Sequence, residues 1–346
     1  MTKFINRAVL TLFVSTLAYS LFSSTLGFAQ GGRDPAMAVK KLDRNGDGKV
    51  SRREWKKKPS SVFDEIDTNA DGLLTKEEFA ARFSGTAASA PVGKNDEKDS
   101  GTRDPSQNPL HPAAARDLHE RTGLFNTGVV TIYPQDIRCL EVKSFFGDKT
   151  RYDGSQRTLR GYHGYHSGFD ISADEGTPLV AIADGEVVHK YTGGKLVGNQ
   201  IFLRHTPEDT GLPIWVYSKY KHFRELPALE IGDRVKMGQA LGASGKTGTT
   251  GGHFGRRGYP HLHLSLYGAD SGEYRSIEKT VLPEGVRFLD PAAIYLMNDN
   301  QVYDNHGIRA LPKEKKTIQV PYMTSTGTVV PADSRLIWPV LCEPTS

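Results

Sequence analysis

The chain has 346 residues, which is enough for more than one domain with a hydrophobic core. Its 36 Gly and 19 Pro indicate many turns, and its 15 Phe and 14 Tyr supply apolar mass for β-sheets. The net charge of +4 favours an anionic partner without identifying one. No nucleic acid is expected, because no run of Lys and Arg is interleaved with stacking aromatic residues.

Residues 1–29 have the pattern of a secretory signal peptide. Basic residues precede an apolar run over residues 8–22, and the small residues Gly27 and Ala29 precede polar sequence. The run contains Ser and Thr and is shorter than the roughly 20 apolar residues that a membrane span needs. We therefore expect cleavage and export to the periplasm, outer envelope or extracellular space, with no membrane span left after cleavage. An uncleaved anchor is the alternative.

Two copies of an acidic pattern follow, over residues 43–54 and 67–78. Each copy has oxygen-bearing side chains at loop positions 1, 3, 5, 9 and 12, with Gly at position 6 and Glu at position 12. Calcium takes six to eight oxygen ligands in such a turn, and both copies resemble EF-hand loops. We expect a small α-helical EF-hand module over residues 30–84 that holds up to two calcium ions in a structural role. The expected calcium positions are Asp43, Asn45, Asp47, Lys49, Ser51, Glu54, Asp67, Asn69, Asp71, Leu73, Thr75 and Glu78.

The remaining sequence predicts a linker and a mainly β domain. Residues 85–123 are polar with few apolar residues, so we expect a disordered linker. Residues 124–297 contain short strand-like runs without intervening helix-length patterns, which indicates an antiparallel sheet rather than an α/β fold. Within this domain, residues 177–183 and 186–191 are predicted to form a β-hairpin around an Asp-Gly turn.

The two cysteines bracket most of this β domain. In an oxidising compartment Cys139 and Cys342 could pair and attach the C-terminal extension, residues 298–346, to the main domain. Two unpaired thiols are the alternative. The extension has no other predicted role.

Two short stretches of the β domain contain zinc-type ligands. His261 and His263 are two positions apart in an apolar run, and a β-strand directs such residues to the same face. His166 and Asp170 are four positions apart at the start of another strand-like run. Together with one histidine of the later pair, they would supply three protein ligands and leave a fourth position for water, as in catalytic zinc sites. The other histidine would then be free to handle protons.

Several motifs occur in a fixed order along residues 161–296. They are His166-x-Gly168-x-Asp170, Gly176-Thr177-Pro178, Asp184-Gly185, Tyr220-x-His222, Gly232-Asp233, Gly238-Gln239 and His261-x-His263. This order resembles the lysostaphin- and LytM-like zinc endopeptidases of bacterial cell walls, and the resemblance does not include the EF-hand loops. It implies an antiparallel β-sandwich or groove fold and peptidoglycan as the substrate. It also implies zinc ligation by His166, Asp170 and His263, with His222 and His261 transferring protons or stabilising the oxyanion.

Two further segments require an interpretation. Residues 240–247 satisfy a relaxed phosphate-loop pattern, but the Gly- and Thr-rich residues that follow make a poor helix, so no nucleotide is expected. Residues 248–259 are longer than the usual connection before the paired histidines. They could form a groove wall in which Arg256 and Arg257 select an acidic substrate, or an inert loop.

The favoured function is an exported zinc metalloendopeptidase that hydrolyses peptide bonds in peptidoglycan stems or cross-links. One alternative is a catalytically silent wall-binding or regulatory protein on the same fold. Another is a protease of Gly-rich proteins. The oligomeric state is not predicted.

Overall fold

A computed structural model of the chain describes residues 34–51, 54–55, 62–63, 66–67, 73–84, 105–277 and 279–344. The expected signal peptide and the first part of the expected linker lie outside the described residues, as do Asn69 and Asp71 of the second calcium loop. The chain divides into two compact units, Met1–Val92 and Gly93–Ser346, which are described separately. Among the described helices, none is both long enough and apolar enough to cross a membrane.

The N-terminal unit contains helices α1 (Pro35–Leu42) and α2 (Lys76–Ser84). Helix α1 begins after Asp34, whose carboxylate accepts a hydrogen bond from the Ala36 amide and so caps the first turn. Between the helices, strands β1 (Val50–Ser51) and β2 (Leu73–Leu74) pair in antiparallel fashion and join the two expected calcium loops. The expected helical module is therefore present.

A small apolar core holds this unit together. Val50 and Leu74 lie opposite each other in the strand pair, and both side chains are fully buried. Trp55 packs edge-on against Phe63 with the ring centroids 5.6 Å apart. Burial of these side chains is the main source of stability available to such short helices and strands.

The C-terminal unit is built on an eight-stranded antiparallel sheet. Its order is β11-β8-β9-β10-β13-β6-β5, and β16 pairs with β13 outside this path. The expectation of a mainly β domain with antiparallel strands is confirmed. The strands of this sheet are β5 (Val142–Ser144), β6 (Phe169–Ser172), β8 (Gly185–Thr192), β9 (Asn199–His205), β10 (Trp215–Phe223), β11 (Arg234–Val235), β13 (His261–Ala269) and β16 (Arg287–Leu289).

The two faces of this sheet have different roles. Alternate residues of β13, such as Leu262 and Leu264, belong to the larger apolar core beneath the sheet. His261, His263 and Ser265 alternate with them and therefore lie on the opposite face. That face carries the candidate site.

The predicted hairpin at residues 177–191 is wrong. Strand β7 (Pro178–Val180) pairs with β12 (Ala240–Ala243), whereas β8 pairs with β9 and β11. The carboxylate of Asp184 accepts hydrogen bonds from the Met237 amide at 2.8 Å and the Lys236 ammonium at 2.8 Å. These tertiary contacts hold the Asp-Gly corner at the point where the chain passes from one sheet to the other.

The expected linker is corrected for residues 105–123, which fold onto the C-terminal unit. They contain helix α3 (Arg116–Arg121), and Leu110 and His119 are buried. The His119 ring contacts Tyr162 and Phe288, at centroid distances of 5.3 and 6.2 Å. A few apolar and aromatic side chains are therefore enough to order this polar segment, because partners for them exist elsewhere in the chain.

The C-terminal extension is also part of the packed unit. Trp338 is fully buried in the larger core, and its indole N–H donates to the Leu140 carbonyl at 2.8 Å. Cys139 and Cys342 form a disulfide that closes a separation of 203 residues. The boundary expected after residue 297 therefore does not separate two independent packing units.

Short elements complete the unit around the main sheet. The helices are α4 (Pro207–Thr210), α5 (Met297–Asn300) and α6 (Asn305–Ala310). The strands are β3 (Val130–Ile132), β4 (Ile137–Arg138), β14 (Tyr274–Ile277), β15 (Thr280–Pro283), β17 (Thr317–Gln319), β18 (Tyr322–Met323), β19 (Val329–Val330) and β20 (Glu343–Pro344). Short 3₁₀ turns occur at Tyr162–Gly164, Ala293–Leu296 and Lys313–Lys315.

Candidate metal centre

Three predicted ligands converge where β6 and β13 lie side by side. The strand register places His263 opposite Asp170, and His166 precedes β6 by a short turn. One ligand atom from each of His166, Asp170 and His263 lies within 4.8 Å of the others. His263 Nδ1 is 2.8 Å from Asp170 Oδ1, and His166 Nε2 is 3.1 Å from the same oxygen. Residues distant in sequence thus form one compact set of donors.

Hydrogen bonds to the protein orient the two imidazoles. His166 Nδ1 lies 3.0 Å from the Phe145 carbonyl, which can only accept, so Nδ1 carries the proton and Nε2 keeps its lone pair. His263 Nε2 lies 3.0 Å from the Ser265 hydroxyl, which leaves Nδ1 directed at Asp170. Two imidazole nitrogens and one carboxylate oxygen are a donor set that suits zinc, and partners behind the ligands are typical of zinc sites. The residues present therefore fit a zinc ion.

The carboxylate of Asp170 is strongly held in its charged form. Burial alone would raise the pKa of Asp170, but the attraction of His166 and His261 in their protonated forms, together with the hydrogen bond from His263, brings it well below its usual value. In addition, Arg157 Nη2 lies 3.4 Å from Asp170 Oδ2 and 2.7 Å from the Ser144 hydroxyl. Arg157 therefore occupies one carboxylate oxygen while the other faces the histidines.

His222 and His261 lie next to the ligand set. Their rings are 4.7 Å apart, and His261 Nε2 is 3.6 Å from Asp170 Oδ1. His222 Nδ1 donates to the Thr247 carbonyl at 2.7 Å, and His261 Nδ1 donates to the Tyr259 carbonyl at 2.9 Å. Both side chains are therefore fixed with an unprotonated Nε2, the form that can accept a proton.

The environment of these two histidines also favours the neutral form. Burial, followed by the charge of Lys221, brings the pKa of His222 well below its usual value. Burial likewise lowers the pKa of His261, against the opposing effect of Asp170. His222 sits at a bulge of β10 with φ 70°, a conformation in which non-glycine residues are uncommon. The sequence motifs predict that His222 and His261 lie near the site. The bulge in β10 explains how the His222 side chain is directed towards it.

One wall of the site is aromatic. Tyr152 stacks on Tyr259 at 4.8 Å, Phe254 lies 4.9 Å from Tyr259, and Tyr259 in turn stacks on His261 at 4.9 Å. His253 Nε2 lies 2.8 Å from Asp153 Oδ2 and so joins the two loops that carry these rings. The segment over residues 248–259 thus forms a wall through its aromatic residues.

The two arginines of this segment do not take part in that stack. Arg256 and Arg257 are both exposed. The segment contacts His261 through Tyr259, and the choice between an arginine-lined groove wall and an inert loop stays a prediction.

The first expected calcium loop has a closed arrangement of acidic side chains. Glu54 accepts hydrogen bonds from the Ser51 hydroxyl at 2.7 Å and from the amides of Ser51, Arg44 and Asn45 at 2.9, 2.8 and 3.1 Å. These contacts, led by that of the Ser51 hydroxyl, lower the pKa of Glu54 to about 2. The Asp43 carboxylate accepts from the amides of Gly46 and Gly48.

The second loop is described only in part. Glu78 accepts from the amide and hydroxyl of Thr75 at 2.8 and 3.0 Å, as Glu54 does from Ser51 in the first loop. Asp67 is buried, and Leu73 lies in β2. Glu54 and Glu78, at position 12 of their loops, therefore make equivalent contacts, as expected for two copies of one loop motif.

Several residues of the metal site were not found by sequence reasoning. Arg157, Ser265 and Tyr259 contact ligands or the neighbouring histidines, and none has a motif of its own. Ser265 follows His263 at a spacing of two, so strand periodicity could have placed it on the site face. The position of Arg157 depends on how its loop folds back, for which the sequence has no signal.

Comparisons with known proteins agree with this geometry. Residues 164–274 match the model of Peptidase family M23, and residues 40–57 and 60–84 match that of the EF hand. The peptidoglycan DD-endopeptidase ShyC of Vibrio cholerae is 36% identical over 101 residues, which are 29% of this chain and 20% of that protein. The glycyl-glycine endopeptidase ALE-1 of Staphylococcus capitis is also 36% identical over 101 residues, 29% of this chain and 24% of that protein.

One solved structure is similar to part of this chain. The catalytic domain of the antimicrobial peptidase lysostaphin from Staphylococcus simulans has 31% sequence identity, and the match covers 32% of this chain and 71% of that chain with a TM-score of 0.25. The alignments to ShyC and ALE-1 span only 20% and 24% of those relatives. The resemblance indicated by the motifs is confirmed for the region that contains them: residues 164–274 of this chain are a Peptidase family M23 domain.

Proposed function

We propose that this chain is an exported zinc metalloendopeptidase that hydrolyses peptide bonds in peptidoglycan. The observation that carries the proposal is the convergence of His166, Asp170 and His263 within 4.8 Å, with His261 Nε2 only 3.6 Å from Asp170 Oδ1. Ligands and proton acceptors are thus brought together on one face of a rigid sheet.

His166 Nε2, Asp170 Oδ1 and His263 Nδ1 would hold the zinc ion. A zinc ion in such a three-ligand site supplies Lewis acidity and lowers the pKa of water to about 7. Arg157 keeps Asp170 Oδ2 occupied, so Oδ1 is the oxygen left for the ion. Ser265 and the Phe145 carbonyl hold the two imidazoles in position.

The neutral histidines next to the ligands supply proton transfer. His222 and His261 both present an unprotonated Nε2, because their Nδ1 protons are donated to main-chain carbonyls. One of them takes a proton from the attacking water and passes it to the leaving amine, so the proton is conserved over the reaction. The other would stabilise the tetrahedral oxyanion only in its protonated form, with the proton taken from solvent. Stacking of Tyr259 on His261 limits rotation of that ring.

The substrate and the location are proposed on other grounds. Two relatives over this region are named as peptidoglycan and glycyl-glycine endopeptidases, which supports a wall peptide as the substrate. The sequence pattern of residues 1–29 supports export, and the disulfide between Cys139 and Cys342 suits an oxidising compartment.

We also propose that the EF-hand loops hold calcium in a structural role. The side chains of Asp43, Asn45, Asp47 and Glu54 fit that ion by type and spacing. In an extracellular setting, even a weak site of about 10⁻⁴–10⁻³ M is filled.

Purified wall sacculi provide the direct test. We expect the protein to release fragments with new amino termini, detected by mass spectrometry, and o-phenanthroline in the presence of excess calcium to stop the release. His263→Ala should lose both zinc and activity. The matched control is His306→Ala, at an exposed histidine that contacts Arg121 and Phe125 outside the site. No fragments from zinc-loaded protein would refute the proposal, and cleavage only of added Gly-rich proteins would favour that alternative.

A further inference from the structure

Two lysines lie on the sheet face that carries the candidate site, next to the proposed metal ligands. Lys219 and Lys221 are two positions apart in β10, so both side chains lie on one face of the sheet. Lys221 pairs in register with His263, and Lys219 pairs with Ser265. Directly opposed residues share a face, so this is the face that carries the metal site. Both lysines are partly buried.

Neither lysine is paired with a carboxylate of the part of the chain that the structure describes. Among the ion pairs of the described residues, none includes Lys219 or Lys221, whereas Arg204 on the neighbouring strand β9 is paired with Glu186 at 2.8 Å. The Lys221 ammonium donates to the Leu196 carbonyl at 2.9 Å, and the Lys219 ammonium lies 5.0 Å from the centroid of Phe202. Ammonium groups that are shielded from water are usually paired with a carboxylate. The two lysines are therefore available to form ion pairs with an anionic group of a ligand.

Two neighbouring buried polar atoms also lack partners within the described residues. His189 Nε2 and Gln200 Oε1 are both without a hydrogen bond, and their side chains are 7% and 1% exposed. Gln200 pairs with Lys221 across β9 and β10, and the charge of Lys219 acts on His189. His189 Nδ1 lies 3.4 Å from the Ser276 hydroxyl. Unpartnered buried polar atoms are costly, so their clustering here is an independent indication of a ligand.

We propose that Lys219 and Lys221 form an anion subsite that binds a carboxylate of the peptide substrate next to the scissile bond. The inference rests on the proposed function and specifies its substrate class: peptides with a free carboxylate close to the cleaved bond, rather than uncharged glycine chains. Gln200 Oε1 accepts an N–H of the same peptide, since the Gln200 amide nitrogen is already engaged with the Lys279 carbonyl at 2.5 Å.

The electrostatic setting agrees with this assignment. A carboxylate placed beside the two amines stabilises their charged forms, so ligand binding and protonation reinforce each other. Asp170 cannot serve as this partner because its oxygens face the metal ligands and Arg157.

The test compares two synthetic cross-linked wall peptides that differ only in whether their carboxyl groups are free or amidated. We expect the double variant Lys219→Met/Lys221→Met to lose about tenfold to hundredfold in kcat/KM on the carboxylate peptide, in line with the loss of charge-assisted hydrogen bonds. The effect on the carboxamide peptide should be less than about threefold. Methionine retains the apolar length of the side chain, and Lys313→Met, at an exposed lysine remote from the sheet, is the matched control.

Binding is also measured without turnover, by calorimetry of both peptides against zinc-loaded His261→Ala with and without the lysine replacements. A preference for the carboxylate peptide that disappears in the Lys219→Met/Lys221→Met background supports the subsite. Equal affinity for the two peptides overturns it, and so does a preference that survives the replacements, which would assign the carboxylate to zinc itself. A lysine-dependent preference combined with no cleavage by the His261-containing protein would refute the proposed function and leave the subsite standing. Zinc content and circular dichroism verify that each variant is folded.

Discussion

Asp290 is a buried carboxyl whose ionisation should destabilise the C-terminal unit. Its side chain is 5% exposed, and burial raises its pKa to about 6 despite hydrogen bonds from Thr127 and the Ala292 amide. Proton binding is therefore tighter in the folded than in the unfolded chain. The stabilisation that protonated Asp290 contributes is present in full below pH 3.8, the pKa of this carboxyl in the unfolded chain. It is lost as the pH rises through about 6, the pKa in the folded chain. The shift of about 2 pH units corresponds to roughly 3 kcal/mol.

Asp290→Asn removes this ionisation and keeps the shape of the side chain. The asparagine Oδ1 can still accept from the Ala292 amide, and its Nδ2 can donate to the Thr127 hydroxyl. We expect the free energy of unfolding of the variant, relative to the parent protein, to increase by about 2.4 kcal/mol between pH 4 and pH 7.5, because part of the total change falls below pH 4.

Urea unfolding followed by tryptophan fluorescence measures this difference. A Trp55→Phe background leaves Trp215 and Trp338 as reporters, both of which lie in the C-terminal unit. Comparing parent and variant at each pH removes the titration of the zinc ligands, which both proteins share. A difference that does not change with pH would refute the reasoning.

Three other changes separate the roles assigned above. His261→Ala should lower kcat by about a hundredfold to ten-thousandfold while zinc content stays at the parent level, because it removes a proton acceptor and no ligand; loss of zinc together with activity would contradict this assignment. The double variant Cys139→Ser/Cys342→Ser should lose up to about 5 kcal/mol of unfolding free energy, since it opens a loop of 203 residues; an unchanged urea midpoint would oppose this estimate. Glu54→Gln should remove one calcium per chain in calorimetry. Glu77→Gln, at an exposed acidic residue that precedes Glu78 in the second loop and is not a predicted ligand, should retain both. Equal calcium binding by the two glutamate variants would count against the loop assignment.

The candidate metal site was predictable because its residues follow simple strand geometry. His261 and His263 lie on one face since side chains alternate along a strand, and Asp170 lies at the start of an equally clear strand. The motif order then selected His263 over His261 as the third ligand. The structure places His263 Nδ1 2.8 Å from Asp170 Oδ1, compared with 3.6 Å for His261 Nε2.

The hairpin error shows where local reasoning fails. Residues 179–183 are buried in succession, so the half-buried alternation that identifies a hairpin strand was never present. The Asp-Gly corner is held by Lys236 and Met237, which come from a distant part of the chain. A turn signal therefore indicates a change of direction, and the strand that pairs next depends on tertiary contacts.

The polar segments and the lysine pair could not be placed for a related reason. Leu110 and His119 lie in a stretch that has too few apolar residues to fold alone, and they become buried only because Phe288 and Tyr162 complete their packing. Lys221 can be assigned to the site only from the strand register, which places it opposite His263. Neither relation is visible before the strands are paired.

Zinc content per chain tests the central claim most directly. The protein is dialysed with excess calcium, so that the EF-hand loops stay filled, and its zinc is measured by elemental analysis beside that of Asp170→Ala. The convergence of His166, Asp170 and His263 predicts one tightly held zinc ion in the parent protein and its loss in the variant, with the fold of both verified by circular dichroism. Folded parent protein that takes up no zinc, or a variant that keeps it, would contradict the account.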